Sequence, residues 1–176
     1  MNPGREPDLK SGETRRAPLG GRSLRACLGR FATGVAVVTF DTEEGRRGIT
    51  VNSFTSVSVE PPLVLVSVGR RAHSHDQLRG RPFCVNVLAA EQEQLARQFA
   101  GSGSGSVVWR DGALPRLAGV LAHLDCRPWR DYEGGDHTLF LGEVVEFDYR
   151  DGDALAFHGS RFTAIADTKL GIEDLI

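Results

Sequence analysis

VAVVTFDTEEGRRGITVNSFTSVSVEPPLVLVSV (35–68) places four runs rich in β-branched residues one after another: VAVVTF (35–40), ITVNSF (49–54), TSVSVEPP (55–62) and LVLVSV (63–68). The polar turn DTEEGRRG, the pair Pro61-Pro62 and Gly69 punctuate them. Short β-branched runs bounded by turn residues read as consecutive strands. No segment of helical period separates them, which argues against a doubly wound parallel sheet. The pattern predicts a mainly β fold, an antiparallel barrel or sandwich with peripheral helices.

Upstream, Ser23 is a candidate N-cap, and Leu24, Cys27, Leu28 and Phe31 recur at helical spacing until Gly34. Residues 1–21 are rich in Pro, Gly, Arg and Glu without periodicity, so they are expected to form a disordered or loosely packed arm ahead of one domain over 22–176. Downstream, Ser74-His75-Asp76-Gln77 has the form of a capping box opening a short helix to about Gly80. FCVNVL (83–88) reads as a strand, AEQEQLARQFA (90–100) as a helix and GSGSGS (101–106) as a flexible link. In 120–126, apolar Val120, Leu124 and Cys126 alternate with polar His123 and Asp125, predicting a half-buried strand with the polar residues outward. TLFLGEVVEFDY (138–149) is the longest strand candidate, and ALAF (154–157) and FTAI (162–165) close the pattern.

The chain has 176 residues, 40% hydrophobic and 25% charged, with net charge −2 and pI about 6.2. That balance does not suit a nucleic-acid binder driven by counterion release, and no nucleic-acid partner is expected. No apolar run reaches the ~18 residues of a membrane span, and the polar N-terminus shows no secretory signal, so a cytoplasmic protein without a membrane partner is expected. Cys27, Cys84 and Cys126 are odd in number, far apart and each in an apolar stretch, which predicts buried free thiols in a reducing compartment.

Four segments carry candidate chemistry. Gly135-Asp136-His137 follows a second glycine and lies between two strand runs, so it is either a tight loop presenting an imidazole or an ordinary turn. Arg70, Arg71, His73 and Ser74 precede the predicted helix, whose start either receives a phosphate or is simply capped by Ser74. Thr50, Val51, Asn52 and Ser53 are dense in donors and acceptors, suited to a polar ring system or to the solvent face of a strand. His73 and His75 with Asp76 lack further ligands at a diagnostic spacing, so no metal is expected. The glycines of GSGSGS precede Val-Val-Trp and not a helix, which excludes a nucleotide loop, and no nucleophile elbow is present.

The ordered series RFATGV (30–35), VVT (37–39), GITVNSFTSVSVEPPL (48–63), FCVNV (83–87), LARQF (95–99), LDCR (124–127), GDH (135–137) and GEV (142–144) resembles the flavin reductase-like family with the FMN-binding split-barrel fold, over roughly residues 23–165. The family includes the reductase components of two-component flavin-dependent monooxygenases. The resemblance implies an antiparallel split β-barrel, a homodimer, FMN or FAD as flavin, and NADH or NADPH as electron donor. It implies an NAD(P)H:flavin oxidoreductase that hands reduced flavin to a partner monooxygenase. The alternatives are a terminal FMN-containing reductase of a ferric complex or quinone, and a non-enzymatic flavin-binding redox module.

Carried over by motif, Thr50, Val51, Asn52 and Ser53 would contact the isoalloxazine edge, partly through main-chain groups. Ser56, Val57 and Ser58 would continue that lining, Ser67 and Val68 would lie on the next strand, and the phosphate would sit near His73 and Ser74. Gly135, Asp136 and His137 correspond to the family's nicotinamide-nucleotide site, with His137 the catalytic candidate. His158 and Phe162, in HGSRF (158–162), resemble the segment that closes toward the flavin. Where the family often carries a lysine and aromatic residues after the position of Phe99, this chain has GSGSGS.

Overall fold

The computed structural model describes residues 19–166. Most of the arm expected over 1–21, and the chain beyond 166, lie outside the described residues. The chain runs through α1 (Gly21–Leu28), β1 (Thr33–Gly34), β2 (Ala36–Thr42), β3 (Gly45–Val51), β4 (Thr55–Val59) and β5 (Pro62–Gly69). Then come α2 (His75–Leu78), β6 (Phe83–Val87), a 3₁₀ turn at Ala90–Gln92, α3 (Glu93–Phe99), β7 (Trp109–Arg110) and β8 (Arg116–Leu117). β9 (Ala122–Gly134), β10 (His137–Tyr149), β11 (Ala154–His158) and β12 (Arg161–Ile165) complete it.

Seven strands form one antiparallel sheet in the order β3-β2-β6-β9-β10-β5-β4. β1, β11 and β12 make a second sheet, and β7 pairs with β8 alone. This is a mainly β, antiparallel fold, as the strand runs predict, and the split barrel that the family resemblance implies. The first apolar run is continuous because β2 is buried on both faces: Ala36, Val38 and Phe40 join the core inside the curled sheet. Val35 and Val37 join a second core with Leu88, Ala96, Leu117 and Leu155. A strand covered on one side only would alternate.

β9 keeps the expected phase, with Leu124 and Cys126 toward the core, but its outward polar residues are covered. His123 and Asp125 are each 2% exposed, more buried than Leu124 between them. They lie opposite Asn86 and Cys84 on the outer face of β6, beneath the β7–β8 segment. Arg116 reaches this face and meets Asp125 through Nε–Oδ1 at 3.2 Å and Nη2–Oδ2 at 2.8 Å, with Glu146 at 2.9 Å and Asp148 at 3.3 Å. His123 joins Asp148 at 2.8 Å and the Leu117 carbonyl at 2.8 Å. That hydrogen bond, above all else, holds the Asp148 carboxyl below the usual carboxylate range. Asn86 donates to the Val37 carbonyl and to Thr39 Oγ1 and accepts from the Leu117 N–H. Thr39 in turn donates to the Pro115 carbonyl. Buried polar groups are tolerated when each is paired, and here they fasten residues 115–117 to the barrel.

The helices differ more from the sequence reading. α1 starts at Gly21, with Gly20 and not Ser23 at the N-cap, and ends at Gly29, five residues before Gly34. Its apolar stripe is real but uncovered: Leu24, Leu28 and Phe31 are exposed, Phe31 by 77%. Cys27 on the same helix is exposed too, so only Cys84 and Cys126 are the buried free thiols expected. Burial pushes both thiols up, Cys126 to about 12, so neither is a thiolate at neutral pH. α2 is a single turn whose Ser74 makes no side-chain capping bond. The four-residue pattern Ser74-His75-Asp76-Gln77 fits a capping box, but the side-chain bond of Ser74 that would complete it is not formed.

Gly142 permits the closest approach inside the sheet. A Cβ there would stand 2.5 Å from the Phe83 ring and 2.8 Å from Cys126 Cβ.

Removing Asp125 leaves the Arg116 guanidinium, 5% exposed, with only its two partly exposed partners. Asp125→Ala is expected to destabilise the fold by about 3 kcal/mol, the scale for breaking a buried ion pair. Urea unfolding followed by circular dichroism measures it, and a loss under about 1 kcal/mol would show that Glu146 and Asp148 suffice.

Candidate active site

β3 ends the large sheet on one side and β4 on the other. β5 pairs with β4 only as far as Leu65, whereas its pairing with β10 continues to Gly69. The last residues of β5 therefore keep one edge free, and so does the outer side of β3. The curl of the sheet brings these two edges near each other, and Ser53, in the link between β3 and β4, carries the β4–β5 pairing one step further with its side chain. Ser53 Oγ donates to the Ser67 carbonyl at 2.8 Å and accepts from the Ser67 N–H at 3.0 Å.

At this seam lies an open cleft of about 230 Å³, lined by residues 49–53, residues 67–69 and His137. An edge strand points alternate N–H and C=O groups outward, so the cleft has a main-chain rim on the β3 side. Side chains on the floor are small. Gly69 lies opposite His137 across the β5–β10 ladder, and a Cβ at Gly69 would stand 3.6 Å from His137 Nε2. The imidazole thus lies across the bare backbone of β5.

The loop carrying His137 is a two-residue hairpin turn. Gly135 has φ +68°, the positive value that the first position of a type II′ turn needs and that glycine supplies freely. No atom lies within 4 Å of a Cβ built there, so the backbone angle is what selects glycine. The Asp136 carbonyl accepts from the Arg70 N–H at 2.9 Å, which fixes the turn to the end of β5. Asp136 Oδ1 lies 2.7 Å from His137 Nδ1, and this hydrogen bond holds the Asp136 carboxyl below its ordinary value. With Nδ1–H committed to the carboxylate, Nε2 is left to the cleft.

The structure thus brings together Thr50, Val51, Asn52, Ser53, Ser67, Val68 and His137, which are far apart in sequence. Their side chains have distinct jobs. Thr50 donates its hydroxyl to the Ala96 carbonyl at 2.7 Å, anchoring α3, and Val51 faces the core. Only Asn52 of the four is exposed. The side chains of Thr50, Val51 and Ser53 are thus engaged within the protein, and that of Asn52 faces solvent.

Other candidates stand apart from the cleft. Ser56, Val57 and Ser58 lie on the far edge strand β4, where a bulge leaves Val57 unpaired and 46% exposed. His73 is exposed in the turn after β5, and Ser74 is nearly buried. His158 is exposed at the β11–β12 turn. Phe162 packs on Phe157 at 5.3 Å with the Arg97 guanidinium 5.1 Å above its ring, as part of the outer core. No group of three or more His, Cys, Asp or Glu side chains able to hold a metal occurs among the described residues. Sequence reasoning missed Ile49 and Gly69 as lining residues. The signal for Gly69 was its place at the end of a strand run, where a bare backbone can admit a neighbouring ring.

The donor set suits a flat heteroaromatic ring with a polar edge: main-chain groups on one rim, small side chains on the floor and an imidazole on the facing strand. Fold and cleft define an open, split antiparallel barrel with a cleft at its seam. A family model described as flavin reductase like domain matches residues 28–166. A NADH-dependent FAD reductase of Streptomyces globisporus is 46% identical over 157 residues, covering 81% of this chain and 85% of that protein. The reductase component of a 4-nitrophenol 4-monooxygenase/4-nitrocatechol 2-monooxygenase of Rhodococcus opacus is 37% identical, covering 82% and 81%. Among solved structures, the NADH:FAD oxidoreductase SgcE6 of Streptomyces globisporus C-1027, in complex with NAD and FAD fragments, superposes with TM-score 0.77 at 43% identity, covering 85% of this chain and 95% of that one. The chain belongs to the flavin reductase-like family.

Because the His137 hydrogen bond lowers the Asp136 pKa, the contact is complete above the ordinary carboxylate value and is lost as pH falls through the lowered one. Carbon-13 NMR titration of Asp136 should give a midpoint below about 3.9, the unperturbed value. His137→Ala should return it toward that value, and identical midpoints in both proteins would count against the pair.

Proposed function

We propose that the chain is an NADH-dependent flavin reductase that passes reduced FMN or FAD to a separate monooxygenase, works as a homodimer and acts in the cytoplasm. The domain over 22–176 is the reductase unit. The observation that carries this reading is the meeting of the main-chain rim of residues 49–53 with His137 across the seam. The relatives' activities support it, since one is a NADH-dependent FAD reductase and another the reductase component of a nitrophenol monooxygenase.

In this reading the outward main-chain groups of 49–53 hold the polar edge of the flavin, Ser67 and Val68 lie beneath it, and His137 orients the nicotinamide nucleotide. When bound, flavin supplies the redox chemistry, accepting a hydride from the nicotinamide. The protein's part is placement: two rings held at reacting distance, water excluded, and fixed donors set toward developing charge. None of this needs a strong acid or base. Asp136 keeps the His137 ring in one orientation, and Ser53 holds the two walls of the cleft at a fixed spacing. His73 and Ser74, beyond the end of β5, are where the flavin phosphate would lie. His158 and Phe162 would approach only from another subunit or after movement of their hairpin.

The dimer reading rests on incompleteness. The cleft is open, and α1 leaves Leu24, Leu28 and Phe31 uncovered. On β10, Val145, Phe147 and Tyr149 expose a second apolar row at alternate positions. Rows of exposed apolar side chains support an interface reading, and a twofold contact would bury the same surface on both chains.

Purified protein should oxidise NADH only when FMN, FAD or riboflavin is supplied, and light scattering should give twice the 19.1 kDa chain mass. Flavin retained through gel filtration would favour a terminal flavoenzyme, and absence of NADH turnover would favour a redox module. His137→Ala should lower kcat/KM for NADH by roughly 10- to 100-fold, about 1.4 kcal/mol per tenfold, with flavin affinity nearly unchanged. An unaltered reduction of flavin-saturated protein in stopped flow would return the Gly135-Asp136-His137 loop to an ordinary turn.

A further inference from the structure

A second Asp–His pair lies behind the first. His75 is 4% exposed, and its Nδ1 lies 2.7 Å from Asp76 Oδ1. Its Nε2 lies 2.8 Å from Thr138 Oγ1, and its ring meets Phe140 edge-on at 5.6 Å. Thr138, itself 1% exposed, is the residue after His137 in β10. Side chains alternate along a strand, so His137 faces the cleft while Thr138 points the other way, into His75.

Two more contacts tie the same segments together. The Arg70 N–H donates to the Asp136 carbonyl at 2.9 Å, and the Arg70 guanidinium meets Glu133 at 3.2 Å. The Arg70–Glu133 pair is exposed and worth little. The His75–Thr138 bond is the buried one, and a buried hydrogen bond is both stronger and costlier to lose. With Nδ1–H donated to Asp76, Nε2 accepts from the Thr138 hydroxyl, which fixes that side chain and the backbone that carries it.

We propose that His75 is a positioning residue: through Thr138 it clamps the start of β10, so that His137 presents Nε2 to the cleft. The inference rests on the reading that His137 orients the nicotinamide nucleotide. His75 touches no part of the cleft, and its effect travels through one buried hydrogen bond.

The test is a double-mutant cycle read by stopped-flow reduction of flavin-saturated protein with NADH. Thr138→Val keeps the shape and removes the hydroxyl. It should slow reduction on the order of 3- to 10-fold, the scale of one lost hydrogen bond, with flavin affinity within about twofold. Thr138→Ser should restore the rate. In the His137→Ala background Thr138→Val should add less than about twofold, because residues acting as one unit are not additive. Should Thr138→Val fold poorly, His75→Gln, which can still reach Thr138, should reduce faster than His75→Leu by the same factor. Equal slowing by Thr138→Val with and without His137 would assign His75 a purely structural role and overturn the proposal, as would no slowing at all. If His137→Ala alone leaves reduction unchanged, the reading of the cleft fails first, and the proposal with it.

Discussion

Ser53, in the link between β3 and β4, fastens that link to Ser67 one rung beyond the last backbone pair of β4 and β5. The hydroxyl of Ser53 serves both main-chain groups of Ser67, donating to the carbonyl and accepting from the N–H. A side chain thus replaces one rung of a ladder. Had main-chain pairing continued across the seam, the outward groups of β3 would be consumed and the floor at Val68 and Gly69 covered. Had nothing bridged it, two free edges would face solvent, a poor arrangement for a sheet. A single side-chain rung spaces the walls and leaves backbone donors and acceptors facing the cleft, which is what the proposed flavin site requires.

The rest of the barrel keeps that seam still. Inside, Val38, Phe40, Val66, Val68, Val85 and Phe140 fill the space between the curled strands. Outside, the network around Arg116 and Asn86 secures a stretch with little regular structure of its own. Its polar groups are tolerable because nearly every one has a partner. α3 is fastened differently: the Thr50 hydroxyl holds the Ala96 carbonyl, and the Phe99 ring lies so near Gly48 that a Cβ there would stand 2.7 Å from it. β3 therefore carries the cleft rim along its edge and the helix anchor on its face.

Strands were the legible part of this chain. β-branched runs and their turn residues located β2 to β6 and β10 within a few residues, because strand identity is written in local alternation and punctuation. The phase of β9 was legible, but the burial of His123 and Asp125 was not, since they look solvent-facing until Arg116, Asn86 and Asp148 are placed over them. Ser23 and Ser74 satisfied local capping patterns, yet α1 begins earlier and α2 is too short for a cap to matter. The apolar stripe of α1 was read correctly, but none of the described residues buries it. Of the residues named through the resemblance, 50–53, 67–68 and 137 line one cleft, and the curl of the sheet explains why they meet. Ser56, Val57 and Ser58 follow them closely in sequence but were carried by a strand to the opposite edge.

A site that asks its protein only for placement puts the burden on the hairpin tip. The turn at Gly135-Asp136 projects at the end of two long strands, and beyond Cys126 β9 no longer has β6 beside it. Such a ribbon is held on one side by β5 and would otherwise sway. Besides Arg79 on Asp131, its restraints include three from residues 70–75: a main-chain bond to Asp136, an exposed pair to Glu133 and a buried imidazole on Thr138. Precision at His137 is therefore borrowed from the turn after β5, which is also where the proposed phosphate position lies. One short segment would then register both ends of the bound molecules, and the spacing between flavin and nicotinamide would follow from the length of backbone between Ser67 and His75.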